Sequence, residues 1–330
     1  MPNAASTQPI LVTGASGFIG ACLCQRFASL GRRVVAVHRS SSVGWRLEGT
    51  TGIETVRVDV EATEDVRALF RDVRPDVVIN CAVYGAYSHQ ADADRIYRVN
   101  FDAARHMLDA AAEIPGLRAF VQAGTSSEYG FDSAGPREDA AGCPDSDYAV
   151  AKLAATEYLR YAGRKRRVPA WVLRLYSVYG PYEDASRLIP KVLASAAERR
   201  LPKLVNPDIS RDFVFIDDVC DAFAGVIERA HELEPGDVFN IGTGRRTTLR
   251  DLVALVRARY EITEEPAWGS MADRPWDRRD WYADPRKADA VLGWRARTTL
   301  EEGLSRTSDW MRSNPEVVRT AMAQSVVNGS

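Results

Sequence analysis

The sequence has few cysteines and histidines, and none of them stands at a spacing typical of a metal site or a disulfide framework. There are five cysteines and four histidines among 330 residues, and no CxxC pair occurs. An odd number of scattered cysteines is typical of reduced thiols in the cytoplasm. We therefore expect a cytoplasmic protein without a metal, whose cysteines are free at positions 22, 24, 81, 143 and 220.

The chain also lacks an excess of either charge and a long apolar run. The formal net charge is −2, so no long-range field favours nucleic acid or anionic lipid as a partner. No apolar stretch reaches the roughly 20 residues that span a bilayer, and the polar first nine residues do not resemble a secretory signal. The basic run 163–167 has no interleaved aromatic residues, so we interpret it as a solvated loop.

The chain does contain an alternation of short apolar runs and helical patterns. The runs are rich in Val, Ile, Leu and Phe without polar alternation, which is typical of strands buried on both faces. The alternation predicts an α/β fold with a Rossmann-type, doubly wound parallel sheet. The predicted strands are Pro9–Thr13, Arg33–Val37, Glu54–Val58, Asp76–Asn80, Ala119–Ala123 and Pro169–Leu175, and the helices between them are Phe18–Leu30, Thr63–Val73, Asp94–Ala112 and Ser146–Tyr161.

The pattern changes after Gly180-Pro181, where proline and glycine become frequent and the apolar runs shorten. We expect a Rossmann domain over 1–180, with 211–242 returning to it, and a smaller α/β lid over 181–210 and 243–315. We expect residues 316–330, which are small and polar, to form a frayed tail. The helices predicted in this half are Leu188–Glu198, Asp217–Ala230, Leu249–Arg259 and Leu300–Arg312.

Three glycines follow the first apolar run and stand where the first helix is predicted to begin. In this GxxGxxG pattern Gly14 allows a tight turn, Gly17 lets a phosphate approach, and Gly20 lets the helix lie close to the strand. Such a turn presents backbone N–H groups and a helix N-terminus to a pyrophosphate. The alternative interpretation is a strand–turn–helix unit that binds nothing.

Tyr148 and Lys152 are four residues apart on a predicted helix, so they share one face. A phenol has a pKa near 10 and is a poor base at neutral pH unless a group nearby stabilises its anion. An ammonium one helical turn away stabilises that anion, so we expect the pair to exchange a proton with a carbonyl or carbinol oxygen. Pairs of this kind also occur on ordinary surface helices.

The run from Thr125 to Gly130 follows an apolar strand and is rich in hydroxyl groups. Ligands of open α/β sheets bind at the carboxyl ends of the strands, so Thr125 is placed to hydrogen-bond the oxygen that Tyr148 protonates. A plain strand-ending turn is the alternative. The glycine loop, this strand end and the Tyr–Lys helix occur along the chain in the order that a shared site requires.

Over roughly residues 8 to 310 the chain resembles the extended short-chain dehydrogenases/reductases that act on nucleotide sugars, the NAD-dependent epimerase/dehydratase family. The resemblance implies that Tyr148 is the acid/base, that Lys152 holds the nicotinamide ribose and tunes the tyrosine, and that Thr125 polarises the substrate oxygen. The motifs that carry it are Thr13 to Gly20, Asp59-Val60, Asn80 to Ala82, Asn100, Thr125 to Gly130, Tyr148 with Lys152, Arg174 to Pro181, and Arg211 to Asp218.

The predicted cofactor is NADP(H) rather than NAD(H). An NAD enzyme of this build usually has a carboxylate after the second strand, whereas this chain has His38, Arg39 and then serines. A guanidinium suits a 2′-phosphate, which a carboxylate would repel; alternatively, Arg39 only stacks on adenine. The residues predicted to bind the cofactor are Gly14, Ser16, Gly17, Phe18, Ile19, Gly20, His38, Arg39, Ser40, Asp59, Val60, Cys81, Ala82, Asn100, Tyr148, Lys152, Tyr176 and Val178.

The resemblance also implies a nucleotide-diphosphate sugar as substrate, clamped by arginines of the lid. Arginine suits bidentate contact with phosphate. Each arginine could equally be a surface charge, and Trp276 or Trp281 could stack on the base or only pack in the lid. The residues predicted to bind substrate are Tyr84, Ser126, Ser127, Arg187, Arg211 and Arg274.

The reaction type follows from what stands after Thr125. Dehydratases of this family usually carry Thr-Asp-Glu there, whereas this chain has Thr125-Ser126-Ser127, and we interpret Glu128 as structural. The absent carboxylates disfavour elimination of water. The predicted NADP preference favours NADPH-dependent reduction of the 4-keto group of a 4-keto-6-deoxy sugar, with a nucleotide-sugar 4-epimerase as the alternative.

Three further points complete the prediction. Between the catalytic pair the family often has Gly-x-Ser, whereas this chain has Ala149-Val150-Ala151. Some relatives that lack the tyrosine are NADP-sensing regulators, which is the remaining alternative. The family is often dimeric, so the resemblance implies a homodimer.

Overall fold

The structure, a computed structural model, describes residues 8–39, 44–87, 89–271 and 278–321. Within these residues seven strands form one parallel sheet in the order β10-β6-β5-β4-β1-β2-β3. The predicted α/β, Rossmann-type fold is confirmed. The strands are β1 (Ile10–Thr13), β2 (Val34–His38), β3 (Ile53–Arg57), β4 (Val77–Asn80), β5 (Ala119–Thr125), β6 (Ala170–Leu175) and β10 (Val238–Ile241).

The central strands are buried along their whole length, as their apolar sequences require. β1 lies between β2 and β4, so that Ile10 pairs with both Val34 and Val77. Every residue of β1, β2 and β4 is buried. β10 was not among the predicted strands; it pairs in parallel with β6 and forms one edge of the sheet.

Helices cover both faces of this sheet, and most lie where the sequence predicts them. In the first half they are α1 (Phe18–Ser29), α2 (Thr63–Val73), α3 (Ala93–Tyr97), α4 (Ala103–Ala112) and α5 (Asp147–Arg166). In the second half they are α6 (Leu188–Ala197), α7 (Ile216–Glu228), α8 (Leu249–Tyr260) and α9 (Leu300–Ser313). Within the part of the chain just defined, no helix is both long and apolar enough to cross a membrane.

The predicted helix over 94–112 is interrupted by a π-helical turn at Arg98–Asp102. Its cause is the Asn100 side chain, whose amide donates to the Ile96 carbonyl at 2.9 Å and to the Tyr84 carbonyl at 2.6 Å. A side chain that bonds the carbonyl four residues back competes with the helical ladder. The predicted helix over 94–112 is therefore confirmed, and the π-helical turn inside it is the feature that the sequence did not predict.

The basic run 163–167 is not the predicted loop, because α5 continues through it to Arg166. Arg167 then ends the helix in the left-handed conformation, with φ of 55°. Positive side chains in the last helical turn interact favourably with the helix dipole. The predicted helix end at Tyr161 is therefore five residues early.

The second half adds two small two-stranded sheets beside the main one. β7 (Ser177–Tyr179) pairs with β9 (Phe213–Phe215), and β8 (Ser210–Arg211) pairs with β11 (Thr247–Thr248). Residues 315–321 are helical, and Ala321 is buried, so the frayed tail does not begin at 316. The predicted division of the chain into two domains stays a prediction, as does the homodimer.

Candidate active site

The glycine loop has the close contacts that its sequence predicts. Gly14 has φ of +65°, and a Cβ there would lie 2.4 Å from the carbonyl oxygen of Cys81. A Cβ on Gly20 would lie 2.3 Å from the carbonyl oxygen of Gly14. Gly17 is the N-cap of α1, so the first N–H groups of that helix face outward from a residue without a side chain. This loop fits the pyrophosphate of a dinucleotide, with Ser16, Phe18 and Ile19 at the helix start.

Arg46 packs over this loop, and the sequence analysis missed it. Its guanidinium donates to the Ser16 carbonyl at 3.3 Å and to the Tyr182 carbonyl at 2.7 Å. It also lies 4.4 Å from the ring centroid of Trp45. Arg46 thus places a positive charge beside the predicted pyrophosphate site. In the sequence Arg46 follows the second strand, but Arg39 was the only arginine predicted to bind the cofactor there.

The ribose end of the crevice lies after β2. His38 is buried at the end of that strand, whereas the Arg39 side chain is 54% exposed. Glu61 approaches Arg39 at 3.8 Å and accepts closer bonds from Arg95 and Arg98. Asp59 accepts from the Glu61 N–H at 3.1 Å, which shapes the turn that also contains Val60. Ser40 lies outside the described residues.

A series of side-chain hydrogen bonds connects the strands behind the glycine loop. Thr13 donates to the Asn80 side chain at 2.6 Å, and Asn80 donates to Gln122 at 2.8 Å. Asn80 also accepts from the N–H of Ala82 at 3.1 Å, which fixes the Cys81-Ala82 turn against Gly14. The ends of β1, β4 and β5 are therefore held together by side chains.

The structure brings Thr125, Tyr148 and Lys152 together at the carboxyl ends of the strands. Thr125 ends β5, and its hydroxyl lies close enough to Tyr148 of α5 to lower the pKa of that phenol. Ser146 caps α5 by accepting from the Ala149 N–H at 3.3 Å, so the helix starts just before the tyrosine. Lys152 is buried one turn later, and its Nζ donates to the Ala123 carbonyl at 2.5 Å.

The pKa of the tyrosine is not lowered as the sequence analysis expected. Burial raises the pKa of Tyr148 to about 12, and the nearby Thr125 hydroxyl offsets this only in part. Burial likewise lowers the pKa of Lys152 below its ordinary value. The expectation is wrong for this structure because the lysine amine is bonded to Ala123 and the phenol is desolvated. At neutral pH Tyr148 is therefore a protonated phenol.

The residues between Tyr148 and Lys152 differ from the family pattern, but α5 stays helical there. Ala149 and Ala151 are fully buried, and Val150 is exposed on the outer face. The small buried side chains let α5 pack closely beside β5 and β6.

Glu128 was predicted to have a structural role, and the structure shows its partners. It is fully buried, and its Oε2 accepts from Arg174 Nε at 2.7 Å. Its Oε1 accepts from the Thr125 N–H at 3.0 Å, which completes a capping box over the turn Ser126–Tyr129. Both carboxylate oxygens are thus engaged.

Three of the predicted substrate residues lie beside the end of β5 or beside Trp281. Ser126 accepts from the indole N–H of Trp281 at 3.0 Å, and the Arg211 guanidinium lies 5.1 Å from that indole. Ser127 accepts from the Thr125 hydroxyl at 3.2 Å. Trp281 therefore packs beside the strand end that carries Thr125. Arg274 and Trp276 lie outside the described residues.

The other predicted contacts are also placed. Arg187 lies 4.8 Å from the ring of Tyr87 and close enough to Tyr148 to lower the pKa of that phenol. Arg95 lies over the ring of Tyr84 at 5.0 Å. Three of the predicted cofactor residues have partners inside the protein. Asn100 donates to the Tyr84 carbonyl. Tyr176 packs against Trp281, and Val178 belongs to β7. In the described ranges no cluster of side chains could hold a metal ion.

This fold and this site define a short-chain dehydrogenase/reductase of the extended type. The chain belongs to the NAD-dependent epimerase/dehydratase family, whose model matches residues 10–242. The resemblance expected from the motifs is confirmed.

Curated relatives of known activity are similar over almost the whole chain. A UDP-glucose 4-epimerase from Mycolicibacterium smegmatis is 29% identical over 93% of this chain and 99% of its own length. A dTDP-L-rhamnose 4-epimerase from Burkholderia thailandensis is 27% identical over 92% of this chain and 94% of its own. A trifunctional UDP-glucose 4,6-dehydratase/UDP-4-keto-6-deoxy-D-glucose 3,5-epimerase/UDP-4-keto-L-rhamnose-reductase from Arabidopsis thaliana is 27% identical, and the chain spans 47% of its length.

Solved structures agree with these relatives. The UDP-glucose 4-epimerase of Thermotoga maritima, solved with UDP-glucose, superposes with a TM-score of 0.82 at 26% identity, over 93% of this chain and all of that one. The UDP-glucuronic acid 4-epimerase of Bacillus cereus, in complex with UDP-glucuronic acid and NAD, gives a TM-score of 0.81 at 25% identity, over 93% of this chain and 99% of that one.

Proposed function

We propose that the protein reduces the 4-keto group of a nucleotide-diphosphate 4-keto-6-deoxy sugar with NADPH. The observation that carries this proposal is the meeting of Thr125, at the end of β5, with Tyr148 and the buried Lys152 of α5 at the carboxyl edge of the sheet. The positions after Thr125 that carry carboxylates in dehydratases are Ser126 and Ser127. The carboxylate that does follow, Glu128, has both oxygens engaged within the protein, so Tyr148 is the proton donor that we assign to the site.

The proposed roles follow from the geometry. The bound dinucleotide supplies a hydride to the sugar C4. The O4 oxygen is held between Thr125 and Tyr148, and the phenol proton of Tyr148 passes to it as negative charge develops. Lys152 binds the nicotinamide ribose, and Gly14, Gly17 and the start of α1 bind the pyrophosphate. The products are the carbinol and the oxidised dinucleotide.

The NADPH preference rests on the residues after β2. Arg39 is half exposed and its ion pair with Glu61, at 3.8 Å, is long, so the guanidinium is able to turn to a 2′-phosphate. Glu61 opposes the binding of a 2′-phosphate, because its carboxylate lies beside Arg39. The solved relative from Bacillus cereus contains NAD, so the proposal distinguishes this chain from that relative by its residues after β2.

A 4-epimerase is the second candidate, because the M. smegmatis and T. maritima relatives are both UDP-glucose 4-epimerases. An epimerase first takes a proton from a sugar hydroxyl, which requires a tyrosinate, whereas a reductase starts from the protonated phenol. The absence of a carboxylate after β2, where His38 and Arg39 stand, suits NADPH and therefore favours the reductase. An NADP sensor would need none of the catalytic trio.

The test combines cofactor consumption with product analysis. Purified protein is incubated with NADPH or NADH and a panel of dTDP-, CDP-, GDP- and UDP-linked 4-keto-6-deoxyhexoses, and products are identified by NMR and mass spectrometry. We expect one NADPH oxidised for each 6-deoxyhexose formed. Interconversion of 4-epimers without net cofactor consumption would show the epimerase instead, and cofactor binding without turnover would show the sensor.

A further inference from the structure

The turn that follows β5 contains a carboxylate with no access to solvent. Glu128 is fully buried, and Arg174, its partner on β6, is buried almost as completely. One carboxylate oxygen holds the Arg174 Nε at 2.7 Å, and the other holds the Thr125 N–H at 3.0 Å. One side chain thus connects the backbone of a predicted catalytic residue to a buried cation.

This carboxylate cannot turn away, because its arginine is held from the other side. Arg174 also donates to the Tyr129 hydroxyl at 2.8 Å, and its guanidinium lies 4.5 Å from that ring. Tyr129 in turn donates to the Asn240 side chain on β10 at 2.8 Å. Three strand ends therefore fix the position of a single negative charge.

The groups that face this charge belong to the catalytic trio. Lys152 and Tyr148 face it from α5, Arg174 from β6 and Tyr129 from its own turn. The Glu128 carboxylate raises the pKa of Lys152 against the effect of burial, and it adds to the effect of burial on Tyr148. Arg187, at the start of α6, acts on Tyr148 in the opposite direction.

We propose that Glu128 is a positioning residue for the reduction: bonded to the Thr125 N–H and to Arg174, it fixes the end of β5 and holds a buried negative charge behind Tyr148 and Lys152. The inference rests on the proposed function in one respect, the assignment of Tyr148 as proton donor. A negative charge in that position opposes loss of the phenol proton, so its removal should make Tyr148 easier to ionise. Elimination of water is not part of this role, because both carboxylate oxygens are engaged.

Substitution of the charge alone separates this role from a purely structural one. Glu128→Gln keeps the size of the side chain and an oxygen for the Thr125 N–H. Because it leaves Arg174 unpaired, the double variant Glu128→Gln with Arg174→Gln removes both buried charges and guards against a folding defect. The matched control is Asp76→Asn, since Asp76 is a buried carboxylate bound by Arg118 at 3.2 Å and Arg32 at 3.4 Å away from the site.

The first measurement needs no substrate. The Tyr148 resonance of protein labelled with ¹³C-tyrosine is assigned by comparison with Tyr148→Phe and followed against pH. We expect Tyr148 to ionise at a pH lower by about one unit in both Glu128 variants than in the unmodified protein and in Asp76→Asn. Folded Glu128 variants in which Tyr148 ionises as in the control would overturn the proposal.

The second measurement is the pH profile of turnover. We expect the alkaline limb of kcat to move to lower pH by the same amount in Glu128→Gln, with KM nearly unchanged. An unshifted limb contradicts the charge role. If the NMR shift occurs but no 4-keto sugar is reduced, the proposed function fails and only the effect of the Glu128 charge on Tyr148 stands; if turnover occurs without the shift, the proposed function stands and the inference about Glu128 fails.

Discussion

The two ends of the dinucleotide crevice are built in different ways. At the catalytic end, Lys152, Glu128 and Arg174 are buried, and each is bonded to a strand end or to its turn. At the ribose end, Arg39 is half exposed and shares Glu61 with two other arginines. Buried polar groups must be paired, so their geometry is tightly determined, whereas exposed ion pairs contribute little and rearrange easily. The structure therefore supports the chemical step more firmly than the choice of cofactor.

The sharpest test of the catalytic end is Tyr148→Phe. We expect kcat to fall by roughly 10²–10⁴-fold with little change in cofactor affinity, because only the proton donor is lost. Steady-state kinetics and cofactor titration measure the two effects separately. Tyr161→Phe, on the exposed part of the same helix, is the matched control and should behave like the unmodified protein. Near-normal turnover of Tyr148→Phe would refute the role.

The glycine loop joins the two ends, and Gly14→Ala tests how closely it is packed. A Cβ there meets the Cys81 backbone at 2.4 Å, and φ is +65°. We expect a loss of about 3 kcal/mol or more in the free energy of unfolding, measured by urea denaturation. Gly31→Ala is the matched control, because φ is +72° but the site is open. Its cost should be only about 1 kcal/mol, and equal losses would contradict the packing argument.

At the ribose end, Arg39→Asp is expected to reverse the cofactor preference. The new carboxylate repels a 2′-phosphate and accepts hydroxyl hydrogen bonds, so NADPH affinity should fall by about tenfold or more while NADH affinity rises. Fluorescence titration with both cofactors measures the change. Arg98→Asp, which alters another arginine bound to Glu61, is the control. Unchanged NADPH affinity in Arg39→Asp would show that the ribose end does not use this residue.

A last expected effect, on stability alone, concerns Glu183, which lies close to Arg46 and Arg187. Burial raises the pKa of Glu183 from 4.5 to about 8, despite the opposing effect of the Arg187 cation. A carboxyl whose pKa is raised by folding binds its proton more tightly in the folded state, so its ionisation destabilises the protein as pH rises from 4.5 towards 8.

Glu183→Gln removes this penalty. We expect its melting temperature to exceed that of the unmodified protein by a margin that grows between pH 6 and pH 8 and is then constant, measured by calorimetry. Glu48→Gln, at an exposed site, should show no such trend. A margin independent of pH would mean that Glu183 is ionised in the folded protein at all these pH values.

Most of the fold was predictable because it depends on local pattern. The apolar runs at 10–13, 34–38 and 77–80 form buried parallel strands, and the glycine spacing places the turn before α1. The π-helical turn at Arg98–Asp102 was not predictable, because it depends on a contact between Asn100 and residue 84 that exists only in the folded chain. The strand β10 was missed because its short run stands apart from the strand–helix alternation.

The proximity of the candidate site residues was predictable, but the electrostatics around them were not. The order and spacing of Thr125, Tyr148 and Lys152 along the chain predicted that they lie together, and they do. The bond from Lys152 to Ala123 and the charge of Glu128 behind the tyrosine depend on partners 29 and 46 residues away, which spacing does not reveal. Arg46 was missed for the same reason, since its partners are Ser16 and Tyr182.

The most direct test of the central claim follows a label from cofactor to sugar. The protein is incubated with NADPH that carries deuterium at the transferable position and with the preferred nucleotide-linked 4-keto-6-deoxyhexose, and the product is examined by NMR. If the protein transfers hydride from NADPH to C4 with Tyr148 as proton donor, we expect one deuterium at C4 for each NADPH oxidised and no such product with Tyr148→Phe. A product without deuterium at C4, or an equal yield from Tyr148→Phe, would contradict it.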